Sequence, residues 1–156
     1  MRRRYWDSCA FLGWLRDEQD KVSHCRPAIA EARAGRLVIV TSALTIAEVL
    51  WLTGKDPIPK SDRESVRRFF EHEWIVIYEV DRKIAEAAQD VVWDFKVKPK
   101  DAIHVATALD AEVEQLDTFD GPLQSQTGTI GDPALRIGPP DQGLPQSLLD
   151  EVEGGT

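Results

Sequence analysis

The sequence predicts an α/β fold with a mainly parallel central sheet, and three observations carry that prediction. Segments of strand character alternate with helical segments along nearly the whole chain, as in sheets whose strands are joined by crossover helices. Leu37-Val38-Ile39-Val40 is a continuous apolar run, typical of a strand covered on both faces. Stop and cap residues such as Gly35 and Ser42 fall between the segments, where helices end and begin.

The elements follow in order. Residues 3–7 read as a short buried strand, and a helix is expected over about 8–16. A second helix over about 20–35 is stopped by Gly35, and Leu37–Val40 forms the second strand. Ser42 can cap the next helix, which is expected to run to Gly54 as its C-terminal stop. Asp56-Pro57-Ile58-Pro59 is a loop, and Ser61 starts a helix through about Glu71. Trp74–Tyr78 is the third strand. Helices over about 82–95 and 101–112 are separated by the Val97-Lys98-Pro99 break. Leu116–Phe119 is a fourth strand, and Leu135–Ile137 a fifth. From Gly138 onward the chain is rich in Gly, Pro and acids and reads as a tail.

The chain has 156 residues, of which 42% are hydrophobic and 29% charged. This is one domain of ordinary globular composition, able to bury about 68–70% of its unfolded surface. No apolar stretch approaches the roughly 18–20 residues of a membrane span. MRRRYWDS is followed by no signal-peptide pattern, so a cytoplasmic protein is expected, with Cys9 and Cys25 reduced. The net charge of −8 argues only weakly against a polyanionic partner, because acids gathered in one metal site, or in the tail, would not oppose it.

Four acids stand in apolar surroundings. Asp7 follows Arg4-Tyr5-Trp6, Glu48 is the only charge in SALTIAEVLWLTG, Asp101 opens DAIHVATAL, and Asp120 closes QLDTFD. A carboxylate buried alone costs several kcal/mol, so such residues are paired, hydrogen-bonded or bound to metal. In the expected layout Asp7 and Asp120 end strands, Glu48 lies on the helix after the second strand, and Asp101 begins the helix before the fourth. Asp7, Glu48 and Asp120 reach directly the carboxyl edge of a parallel sheet, where ligands bind, while Asp101 needs a normal crossover to begin its helix there. Each also has a plain structural reading. Asp101 could be an N-cap, Asp7 could form an Asx turn, and Asp120 precedes Gly-Pro as a turn residue would. Glu48 would share a helix face with Leu44, Trp51 and Leu52, an unusual setting for a solvated Glu. Asp117 competes with Asp120 but is expected to face solvent.

Two carboxylates 4 Å apart repel by about 4 kcal/mol at an effective dielectric of 20, so four together require protons or a cation. Oxygen-only ligands select Mg²⁺ or Mn²⁺, which can activate water and stabilise charge on a phosphodiester. Other chemistries lack their motifs. There is no phosphate-binding G-x-x-x-x-G-K-[ST], no G-x-S-x-G and no HExxH. An aspartyl phosphatase would want a second Asp where Cys9 stands. His104 reads as a satisfied helix residue and Cys9 as a packing residue.

The segments YWDSCAFLGWL, TSALTIAEVLWL, KPKDAIHVATAL, LDTFDGPL and ALRIGPP resemble, in order and spacing, the PIN-domain ribonucleases, in particular the VapC-like toxins of bacterial toxin–antitoxin pairs. The likeness covers roughly residues 4–140. It implies a three-layer α/β/α sandwich with strand order 3-2-1-4-5. It implies Asp7, Glu48 and Asp101 as acidic metal ligands, with Asp120 as the fourth acid and Ser8 and Thr118 as polar neighbours. It further implies Mg²⁺- or Mn²⁺-dependent cleavage of RNA, a small antitoxin whose C-terminal segment enters the active-site groove, and a homodimer. Residues 1–140 would form the nuclease domain and 141–156 a C-terminal tail. Trp6 is bulkier than the aliphatic residue usual in the family, and the tail is longer than in compact members. Arg63, Arg67, Arg68, Lys98 and Lys100 are candidate phosphate contacts. Two other readings stay open: a PIN-type nuclease of RNA processing without an antitoxin, and a non-catalytic RNA-binding or interaction module.

Overall fold

The computed structural model describes residues 1–51 and 56–145. Five strands form one sheet of order β3-β2-β1-β4-β5: β1 (Arg2–Trp6), β2 (Leu37–Ser42), β3 (Ile75–Tyr78), β4 (Gln115–Asp117) and β5 (Ile137–Gly138). Every pairing is parallel, so each connection crosses over and brings its strand back in the same direction. The first of these strands in sequence order lies at the centre of the sheet. Helices α1 (Ser8–Leu15), α2 (Val22–Arg33) and α4 (Arg63–Phe69) contribute to one layer, α5 (Arg82–Phe95) and α6 (Pro99–Asp110) to the other. Two shorter helices, α3 (Ala43–Glu48) and α7 (Gly121–Gln124), follow β2 and β4.

Strand alternation builds the two cores. Tyr5 and Val40 enter the cluster with α5 and α6, while Trp6, Leu37 and Ile39 enter the one with α1 and α2. The Trp6 indole takes Phe11 edge-on at 5.2 Å, within the range of favourable aromatic pairs. Among the described residues no helix is long and apolar enough to cross a membrane.

Three expectations need correction. The helix opened by Ser42, whose side chain does accept from the Leu44 amide, ends at Glu48 rather than continuing. The Leu50 carbonyl accepts from the Ile58 amide instead of a helical partner, and Trp51 is exposed; the expected stop at Gly54 lies outside the described residues, as does Leu52. Helix α6 starts at Pro99, two residues early, because proline's missing N–H is no loss in a first turn. Asp117 does not face solvent. It lies on β4 between β1 and β5, opposite Trp6, and is fully buried.

That carboxylate is held by three residues. Arg4 approaches it through Nε and Nη2 at 3.0 and 2.9 Å, Trp6 Nε1 donates at 2.9 Å, and Gln115 Nε2 at 3.0 Å. Burial pushes the Asp117 carboxyl up, against the pull of all these donors. Arg4 also donates to the Pro140 carbonyl and Arg2 to that of Gly143. His24 Nδ1 lies 2.9 Å from Asp141, and Leu144 packs against the Trp6 cluster. Residues 139–145, which begin the expected tail, thus run along the fold; residues 146–156 lie outside the described residues.

Arg4→Leu leaves Asp117 buried without its cation and should cost about 3–5 kcal/mol. Urea unfolding that shows a lower midpoint with an unchanged slope would confirm it.

Candidate active site

Parallel pairing sends the ends of β1, β2 and β4 to one edge, and the four acids gather there. Asp7 follows β1, Glu48 ends the helix after β2, Asp101 lies in the first turn of α6, and Asp120 comes three residues after β4. Asp7 and Asp120 do have structural roles, as helix caps rather than as the Asx turn and the turn residue expected of them. Asp7 caps α1 by accepting from the Ala10 amide at 3.0 Å, and Asp120 caps α7 by accepting from Leu123 at 2.9 Å. Asp101 caps nothing, because Lys98 stands at that position.

The second oxygen of Asp7 accepts from the Thr118 hydroxyl. The same hydroxyl accepts from the Asp120 amide at 3.1 Å, so Thr118 ties the two ends of β1 and β4 together. Glu48 Oε1 accepts from Ser8 Oγ at 3.0 Å and lies 2.6 Å from His104 Nε2. No hydrogen bond among the described residues engages the Asp101 carboxylate, Glu48 Oε2 or Asp120 Oδ1. His104 is the functional neighbour that sequence reading missed. Its spacing of three from Asp101 puts both on one face of α6 and was the available signal.

The electrostatics follow from burial with incomplete compensation. Burial raises the Asp7 carboxyl to about 6, with a smaller push from Asp101 and a downward pull from His104 and Thr118. Asp101 is raised by burial, then by Asp120 and, less strongly, Glu48. Burial would raise Glu48 too, but the hydrogen bond and charge of His104, helped by Ser8, leave it lowered. The Cys9 thiol is pushed up to about 12 by burial, then by Asp7 and Asp120; it is no nucleophile and fits the packing role.

Among the described residues no three His, Cys, Asp or Glu side chains stand as a ready metal cage. The donor chemistry nonetheless suits a hard divalent cation: four carboxylates, several unengaged oxygens, and charge that the protein leaves unbalanced. Beside them a cavity of about 300 Å³ is lined by Asp101, Asp120, Lys96, Lys98 and Gln126. An apolar opening of about 700 Å³ lies elsewhere, among α3, α4 and their connection.

A five-stranded parallel sheet between helices, with carboxylates gathered at its carboxyl edge, defines the class of α/β proteins that bind ligands at that edge. The chain belongs to the PIN domain family, whose model matches residues 4–126. No curated relative matches it. Among solved structures it is similar to VapC20 of Mycobacterium tuberculosis, described as a Sarcin-Ricin loop cleaving toxin. That match has 13% identity and a TM-score of 0.60, over 78% of this chain and 93% of that one. It is also similar to a chain of a toxin–antitoxin complex from Klebsiella pneumoniae, at 21% identity and a TM-score of 0.55, over 75% of this chain and 86% of that one. At these identities the likeness is one of fold, and the strand order agrees with the expected 3-2-1-4-5.

Asp7 moves from an ordinary 3.8 to about 6, so the folded protein holds this proton more tightly than the unfolded chain. The stability it contributes is full below about pH 4 and is lost as pH rises through about 6, by about 3 kcal/mol. In metal-free protein the stability difference between wild type and Asp7→Asn should therefore shift against wild type between pH 4 and 7. Urea unfolding across that range measures it, and a pH-independent difference would refute it.

Proposed function

We propose that this protein is a divalent-metal-dependent endoribonuclease and the toxin of a toxin–antitoxin pair. One observation carries the reading: Asp101, unbonded and pushed up by burial and by neighbouring acids, sits with three other carboxylates at the edge where parallel sheets bind ligands. Such unbalanced charge suits a cation. Asp7, Glu48, Asp101 and Asp120 would hold Mg²⁺ or Mn²⁺. When bound, that ion activates water and neutralises charge on a phosphodiester.

The chain's own residues supply the rest. Thr118 fixes the Asp7 carboxylate, and Ser8 and His104 fix that of Glu48. Lys96 and Lys98 line the adjoining cavity and offer ammonium groups to a strand's phosphates, with Lys100 the second residue of α6. An overall net charge of −8 leaves this lysine rim as the cationic approach to the site. RNA as substrate accords with the Sarcin-Ricin loop cleaving toxin that shares the fold.

An antitoxin accords with the toxin–antitoxin complex and with the apolar groove. Ile46, Leu50, Ile58, Val66 and Phe70 line it, Arg63 and Arg67 border it, and Ile46 and Leu50 are exposed. Because Glu48 lies on the helix that forms one wall, a segment bound in the groove would approach the acidic edge. The protein would act as a homodimer in the cytoplasm.

Purified protein should cleave RNA with Mg²⁺ or Mn²⁺ and stop when the metal is chelated. Asp7→Asn should lower the rate by more than about 100-fold, beyond the loss of an outer-shell partner. Unchanged cleavage by that variant would sink the assignment. Lys98→Ala should raise KM and flatten the salt dependence of RNA binding by about 0.7 in log–log slope, the contribution of one single-strand phosphate contact.

A further inference from the structure

We infer that Tyr5 and His104 are positioning residues for Glu48: a buried Tyr5–His104–Glu48 hydrogen-bond chain keeps Glu48 Oε1 occupied and leaves Oε2 as the oxygen that takes a cation. The inference rests on the metal-nuclease reading above and adds two residues to it. Tyr5 Oη lies 2.5 Å from His104 Nδ1, and His104 Nε2 lies 2.6 Å from Glu48 Oε1. Tyr5 is fully buried and His104 is 2% exposed, and their rings meet edge-on at 5.7 Å.

The direction of each bond follows from the groups. An ionised carboxylate only accepts, so Nε2 carries the hydrogen toward Glu48. The Tyr5 hydroxyl meets the ring's other nitrogen, donating to Nδ1 where the ring is neutral and accepting from it where the ring is charged. Ser8 Oγ also donates to Glu48 Oε1. With two donors that oxygen is filled, while no described hydrogen bond reaches Oε2.

Glu48 needs this outside support more than its neighbours. Asp7 and Asp120 are each fixed by capping the helix they begin. Glu48 is the last residue of a six-residue helix and has a longer side chain with more rotamers to restrict. Its carboxylate is held from three other places: Tyr5 on β1 acting through His104 on α6, and Ser8 on α1. A ligating group oriented by an outer hydrogen bond loses about 10–100-fold in metal affinity when that partner is removed.

The experiment measures Mn²⁺ binding directly, by the loss of free-Mn²⁺ paramagnetic resonance, in wild type, Tyr5→Phe, His104→Leu and His104→Gln, with thermal melts as the check of folding. His104→Leu should weaken Mn²⁺ binding about 10–100-fold, and Tyr5→Phe should weaken it in the same direction by less. His104→Gln should recover most of the loss, because its amide reaches where Nε2 stood. In RNA cleavage the losses should fall on kcat at fixed Mn²⁺ and leave KM for RNA unchanged. In metal-free wild type, nitrogen NMR should show His104 protonated on Nε2. Variants with lowered melting temperatures but wild-type Mn²⁺ affinity would show a purely structural role and overturn the inference, as would a ring protonated on Nδ1 and not on Nε2. Tyr5→Phe, which keeps the ring and its packing, decides the case if His104→Leu does not fold. A wild type that binds no Mn²⁺ fails earlier, at the metal reading itself, and takes the inference with it.

Discussion

A charge removed from water must be met by donors or by an opposite charge, and the centre of this sheet is organised around that requirement. Arg4, Tyr5, Trp6 and Asp7 are consecutive and all buried. Parallel register sets Trp6 opposite Asp117, so one carboxylate on β4 meets a guanidinium, an indole and an amide. The carboxylate just beyond β1 fares differently. Asp7 receives one backbone amide and one hydroxyl and no cation of its own. Two buried acids, a strand apart, therefore differ in their partners: burial pushes both carboxyls up, but Asp117 has its guanidinium, whereas Asp7 has no bonded cation among the described residues, a demand left open at the sheet edge.

That demand is shared along the edge. Asp7 and Asp101 are pushed toward their neutral forms by burial and by other acids, whereas Glu48 is kept ionised by its imidazole and hydroxyl partners. An edge with one carboxyl lowered and two raised would gain from positive charge, since a divalent cation would relieve each repulsion at once. The capping roles of Asp7 and Asp120 do not compete with this. An N-cap uses one lone pair of a carboxylate and fixes the direction of the others, so the helix start doubles as an orienting device.

Much of this was legible in the sequence because the signals were local or periodic. Leu37–Val40 announced an interior strand, residues 82–95 gave a helix whose bounds agree with α5, and the placement of the acids relative to strands and helices put them at one edge. What was illegible depended on distant partners. Asp117 looked solvent-facing because nothing near it in the chain reveals Arg4, 113 residues away. The early end of α3 depends on the Ile58 amide, which arrives from a later loop. His104 was read as a satisfied helix residue, and so it is, but its partners Tyr5 and Glu48 come from two other elements. The α7 turn escaped notice because four residues carry too little pattern to register.

The central position of β1 has a temporal consequence. β1 cannot be flanked on both sides until β4 has been made, because its partners there are residues 115–117. Asp7 likewise waits for Thr118, and the edge is not complete until Asp120 has joined it. Non-local pairings of this kind form late in folding. The acidic edge therefore cannot be assembled in a nascent chain that has not yet reached Asp120, 113 residues after Asp7.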